Sequence, residues 1–227
     1  MVESKIIVAI DSYDRDKAFS LLGELNPDLC KVKIGSVVYN ALGKEFLKIA
    51  QDRGFKIFLD LKLHDIPNTV YKTILGFGDC SIEMLTIHLS GGEEMINKAM
   101  QAAKIINTKI IGVSVLTSLE EKDSLQLFSS GIKEQITHFF NLANRTKIDG
   151  VVCSPLELEL AKEILNERMI KITPGIREEK SNDDQARTMS AKEAIKKGSS
   201  YLVIGRPITK NKNISRALKN FNDSIDE

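Results

Sequence analysis

The chain has 227 residues, 42% hydrophobic and 28% charged, with a formal net charge of +1 and a pI near 7.7. That is the make-up of an ordinary globular protein as long as one large domain, and the near-neutral balance argues against a surface built for nucleic acid. No apolar run approaches the ~18 residues of a membrane span.

The first apolar run, Ile6 to Ile10, is too short for a signal peptide and ends at Asp11. Cys30, Cys80 and Cys153 lie far apart with no CxxC, which fits reduced thiols in a cytoplasmic protein rather than a disulfide framework or a zinc site. His64, His88 and His138 show no ligand spacing, so no metal is expected. Lys62 between Asp60 and Asp65 would repel a cation there.

From this first run onward, strand-like and helix-like segments alternate eight times. Strands are expected at residues 5–10, 29–35, 56–62, 82–88, 109–115, 150–154, 169–174 and 201–206. They are short, β-branched and apolar, as strands covered on both faces should be. Helical periodicity marks residues 46–53, 94–106, 132–145 and 156–167. The polar stretch 118–130 reads as a loop carrying a short helix of its own. No linker or composition shift divides the chain. Eight β-α units in this length predict an α/β protein, a single (β/α)8 TIM barrel over residues 1–227. The alternative, a doubly wound sheet, lacks its GxGxxG after the first strand.

A barrel places function at the C-terminal ends of its strands. Asp11 ends the first, Lys33 stands near the end of the second, and Asp60 and Lys62 end the third. His88 ends the fourth, Thr117 follows the fifth, residues 173–177 follow the seventh, and Gly205-Arg206 ends the eighth. The densest stretch is Asp60-Leu61-Lys62-Leu63-His64-Asp65-Ile66-Pro67-Asn68-Thr69. Strand alternation turns Asp60 and Lys62 to one face, about 7 Å apart, and Asp65 follows where Ile66-Pro67 ends the strand. Buried charges are costly unless paired, so the group reads as an active site or as a structural ion-pair network. Asp65 also suits the N-cap of a helix with Pro at its first position. Lys31, two residues below Lys33, needs an acidic partner near the barrel floor or a local irregularity that turns it out. His64 and His88 read as structural.

The chain resembles the orotidine 5'-phosphate decarboxylase family, in its short bacterial type. Carrying the resemblance are Asp11 in Ala9-Ile10-Asp11, Lys33 in Lys31-Val32-Lys33-Ile34-Gly35, and the block from Leu59 to Thr69. Further matches are His88 with Ser90-Gly91-Gly92, Val115-Leu116-Thr117-Ser118, Thr173-Pro174-Gly175-Ile176-Arg177, Gln185 with Arg187, and Gly205-Arg206-Pro207-Ile208. A bare DxKxxD is shared with sugar-phosphate enzymes. The extended HDIPNT block together with TPGIR and GRPI is much more specific.

The resemblance implies cofactor-free decarboxylation of orotidine 5'-monophosphate to UMP, with Lys62, Asp60, Asp65 and Lys33 as the charge network. It implies substrate contacts from Asp11, Lys33, Asp60, Thr69, Thr117 (or its neighbour Ser118), Arg177, Gln185, Gly205 and Arg206. It also implies a homodimer in which Asp65 and Thr69 reach the neighbouring site. The chemistry suits these residue types. Loss of CO2 leaves negative charge on a ring carbon, which a preorganised ammonium stabilises. Asp60 beside that ammonium favours its charged form and aims it. Arg206 suits a phosphate through its planar donors, and the polar run 178–184 reads as a loop that closes over the nucleotide. A phosphosugar decarboxylase or aldolase on the same scaffold, a non-catalytic phosphate-binding barrel and an isomerase barrel are the competing readings.

Overall fold

Eight parallel strands close into a barrel in sequence order, β1 to β8, in a computed structural model that describes residues 3–177 and 189–226. The elements run β1 (Ile6–Ile10), α1 (Arg15–Glu24), β2 (Lys31–Gly35), α2 (Ser36–Asp52), β3 (Ile57–Leu63), α3 (Pro67–Leu75) and β4 (Ile82–His88). They continue with α4 (Gly92–Ile106), β5 (Lys109–Val113), α5 (Glu121–Phe128), α6 (Ile132–Thr146), β6 (Gly150–Val152) and α7 (Leu158–Ile164). The described chain closes with β7 (Ile170–Thr173), α8 (Ala191–Lys196), β8 (Tyr201–Ile204), α9 (Arg206–Thr209) and α10 (Ile214–Asp226). The barrel shuts where β1 pairs with β8, Ile6 against Leu202.

Strand alternation sorts the apolar side chains into two cores. Ile7, Phe58, Met84, Ile111, Ile172 and Val203 fill the barrel interior. Their neighbours on the outer face, among them Val8, Val32 and Leu85, pack with Leu22, Leu47, Ile96 and Phe140 from the surrounding helices. Local signals start the helices. Asp14 accepts a hydrogen bond from the Lys17 N–H at the head of α1, and Glu120 and Asp123 form a reciprocal capping box on α5. That helix lies inside the stretch expected to carry one.

Some boundaries differ from the sequence reading. α2 begins at Ser36, not at residue 46, and Gly43 within it adopts φ +63 and breaks the helix. Apolar Val38 before the break and Phe46, Leu47 and Ala50 after it all face the core, but the interruption hides their common period. β5, β6 and β8 stop two residues early, at Val113, Val152 and Ile204, so the residues beyond them belong to the loops of the barrel mouth.

Lys31 meets its requirement at the floor. It is 2% exposed, pairs with Glu3 at 2.6 Å and Glu83 at 2.8 Å, and lies 5.0 Å from the Tyr201 ring centroid. Hydrogen bonds from Lys31 and then Lys56 hold the Glu3 carboxyl down at about 2. An ionic plug thus closes the barrel end opposite the strand C-termini.

Candidate active site

The C-terminal mouth holds a cavity of about 580 Å³. It gathers Asp11 after β1, Lys33 from β2, Asp60 and Lys62 from β3, Thr117 after β5, Arg177 after β7, and Gly205 and Arg206 after β8. Thr117 lines the cavity and Ser118 does not. Gln185 and Arg187 lie outside the described residues, as does the run 178–184. Asp65 and Thr69 are exposed and do not line this chain's cavity.

At the centre is one carboxylate between two ammonium groups. Asp60 Oδ1 accepts from Lys62 Nζ at 2.8 Å, and Asp60 Oδ2 lies 3.2 Å from Lys33 Nζ. The Asp60 side chain is 10% exposed. Burial pushes its pKa up, but the charges of Lys33 and then Lys62, with their hydrogen bonds, outweigh that and hold it below its ordinary 3.8.

Regular alternation turns Asp60 and Lys62 to one face but spaces them about 7 Å apart along the strand, and β3 departs from it here. Leu59 pairs with Leu85 and Leu63 with Ile87, so Asp60, Leu61 and Lys62 all stand opposite Thr86. Strand β3 bulges there, and Lys62 takes φ +50, a conformation uncommon outside glycine. Such a backbone costs on the order of 1–3 kcal/mol and persists where the surroundings enforce it, often at functional sites. The Lys62 N–H, released from the ladder, donates to Thr86 Oγ1 at 2.8 Å.

Asp65 does not cap α3. The N-cap is Ile66, with Pro67 as the first helical residue, and Asp65 Oδ1 accepts from the Ile66 N–H at 2.6 Å. Pro67 takes the first helical position, so the N-cap is the residue directly before it, Ile66, and Asp65 stands one place too early. Ile66 is 68% exposed beside it, an apolar side chain turned to solvent with Asp65 and Thr69. The His64 and His88 rings lie tilted at 40° to each other with centroids 5.3 Å apart. Burial first, then the electrostatic influence of His64 and of the Lys62 ammonium, pushes His88 below 6.5 against the pull of Asp60.

On the far side of the cavity Arg177 is 8% exposed and its Nη1 donates to the Ile176 carbonyl at 2.8 Å. Backbone hydrogen bonds tie Arg177 and Gly175 to Met189, joining the two ends of the chain around residues 178–188. Gly175 sits at φ +80, where a side chain would strain the turn.

Sequence reasoning missed Thr86, which reads as one more β-branched strand residue. It also missed Lys210, which lines the cavity one residue beyond α9 and carries no motif. Phe58, Val113, Val152, Ile172 and Val203 contribute to the apolar part of the wall. Among the described residues, no three His, Cys, Asp or Glu side chains are placed to hold a metal ion.

A family model described as "Orotidine 5'-phosphate decarboxylase / HUMPS family" matches residues 4–221. A protein of Mannheimia succiniciproducens named orotidine 5'-phosphate decarboxylase is 41% identical over 229 aligned positions, covering 99% of this chain and 98% of its own. One of the same name from Wigglesworthia glossinidia brevipalpis is 44% identical over 214 positions, 92% of each chain. The crystal structure of orotidine 5'-phosphate decarboxylase from Lactobacillus acidophilus superposes with a TM-score of 0.87 at 32% identity, covering 99% of this chain and all of its own.

Proposed function

The chain belongs to the orotidine 5'-phosphate decarboxylase / HUMPS family, and on that premise we propose that it converts orotidine 5'-monophosphate to UMP and CO2, the closing step of UMP synthesis, with no cofactor. The observation that carries this reading is the Asp60 carboxylate fixed between Lys33 and Lys62 in the mouth cavity. The bond from the pyrimidine ring to its carboxylate breaks and leaves its electron pair on the ring carbon. The Lys62 ammonium offsets that charge and then donates its proton to the same carbon, regaining one from solvent. Preorganisation is the point. Lys62 is already held by Asp60 and by its own strained backbone, so little reorganisation is needed as charge develops. Asp60 stands next to the substrate carboxylate, and Asp11 and Lys33 take the ribose.

Arg206, with Gly205, Arg177 and Gln185, takes the phosphate, and Thr117 hydrogen-bonds the pyrimidine. Binding energy from the phosphate, remote from the reacting carbon, is realised in the transition state. Replacing Arg206 with Ala is expected to weaken UMP by about 2 kcal/mol, roughly 30-fold, read by titration calorimetry. Unchanged affinity removes Arg206 from the phosphate site.

The exposed Asp65, Ile66 and Thr69 support a homodimer in which Asp65 and Thr69 complete the neighbouring cavity. Mixing inactive Lys62→Ala with inactive Asp65→Ala is then expected to restore activity. Random subunit exchange gives about a quarter of the sites both intact residues. No recovery after exchange is verified would place each site within one chain. The buried free thiols of Cys30, Cys80 and Cys153 suit a cytoplasmic protein.

The reaction is tested with orotidine 5'-monophosphate labelled in its carboxylate. Labelled CO2 released in step with UMP supports the proposal. A folded protein that binds UMP and releases no CO2 is a nucleotide-binding barrel instead.

A further inference from the structure

We propose that Thr86 is a positioning residue for the decarboxylation proposed above, holding the β3 bulge and the Asp60 carboxylate in register through one hydroxyl. Thr86 is fully buried and does not line the cavity. It therefore acts through Asp60 and Lys62 rather than by touching substrate.

The direction of its hydrogen bonds is fixed by what each atom can do. The Lys62 backbone nitrogen has only a proton to give, so Thr86 Oγ1 accepts it at 2.8 Å. Thr86 Oγ1 then spends its own proton on Asp60 Oδ1 at 3.0 Å, an atom that also accepts from Lys62 Nζ at 2.8 Å. An ionised carboxylate is an acceptor only, so the chain of donors suits charged Asp60. Three groups of the β3 bulge, namely the Lys62 N–H, the Lys62 ammonium and the Asp60 carboxylate, are closed into a ring by one side chain of β4.

Both ends of this bridge need it. The bulge leaves the Lys62 N–H without its ladder partner, and a buried unpaired N–H is costly. The φ of +50 at Lys62 needs a tether of this kind to persist. Asp60, in turn, receives donors from three elements, Lys33 of β2, Lys62 of β3 and Thr86 of β4. Only the Thr86 donor is uncharged and rigidly seated, since a β-branched χ1 inside a strand has little freedom. The two lysines can follow a moving carboxylate, whereas Thr86 defines where it stays. Position matters here because a displacement of about 1 Å at a preorganised group costs on the order of 100-fold in rate.

The test compares Thr86→Val, which keeps the shape and removes the hydroxyl, with Thr86→Ser, which keeps the hydroxyl. Thr86→Val is expected to lower kcat on the order of 10- to 100-fold, with KM and UMP affinity within about threefold of wild type. Thr86→Ser is expected to restore kcat to within about threefold. Should Thr86→Val fail to fold, Thr86→Ala is expected to show the same kcat loss. Wild-type kcat in Thr86→Val, equal loss in Thr86→Ser, or a parallel fall of kcat and UMP affinity would each overturn the inference. A wild-type protein inert toward orotidine 5'-monophosphate removes the activity on which the inference rests. An active wild type with an equally active Thr86→Val removes the inference alone.

Discussion

Lys62→Ala is expected to lose turnover of orotidine 5'-monophosphate on the order of 10⁴-fold or more, because one side chain supplies both the electrostatic stabilisation and the proton. The fold is expected to survive. The Lys62 side chain is 36% exposed, and removing it leaves Asp60 paired with Lys33 and hydrogen-bonded to Thr86. The backbone tether from Lys62 N–H to Thr86 is also kept. Melting within a few degrees of wild type, UMP affinity near wild type and no decarboxylation is the expected combination. Near wild-type turnover in this variant would remove Lys62 from the reaction.

Asp60→Asn is the second large effect. It withdraws the single negative charge between Lys33 Nζ and Lys62 Nζ and points an amide at two ammonium groups. Both lysines are then free to turn toward solvent, and kcat is expected to fall on the order of 10²- to 10³-fold. UMP carries no carboxylate, so its affinity should fall far less than kcat, by no more than the loosened Lys33 contact to the ribose. Stability follows the same charge. The folded pKa of Asp60 is depressed, so its stabilising contribution is present above its ordinary 3.8 and is lost as pH falls through the still lower folded value. The stability gap between wild type and Asp60→Asn should therefore be full at neutral pH and narrow below about pH 4. Denaturant unfolding at several pH values checks this. A gap that widens in acid would mean that Asp60 is not held charged by its lysines.

The barrel was legible because buried parallel strands are short, β-branched and evenly spaced, and all eight were found. The helices between them were less so, as α2 shows, where one glycine at positive φ split the apolar period. Lys31 was legible as a problem before its solution was visible. A buried lysine demanded an acid, but Glu3 and Glu83 are distant in sequence and only barrel closure brings them to it. The pairing of Asp60 with Lys62 was right for an incomplete reason. Simple alternation already puts both on one face, so nothing in the sequence called for a bulge, and without the bulge Thr86 had no evident task. Asp65 was read as a possible helix cap, yet Pro67 opens α3 and leaves the N-cap place to Ile66. The amide expected from Gln185 falls outside the described residues.

The most direct measurement mixes the protein with orotidine 5'-monophosphate in EDTA and follows the orotate absorbance, with Lys62→Ala alongside. Expected is loss of the orotate signal with one UMP formed per substrate consumed in the wild type, and no change in the variant. A folded wild type that leaves the spectrum unchanged, or a variant that clears it as fast, would contradict decarboxylation by the Lys33–Asp60–Lys62 cluster.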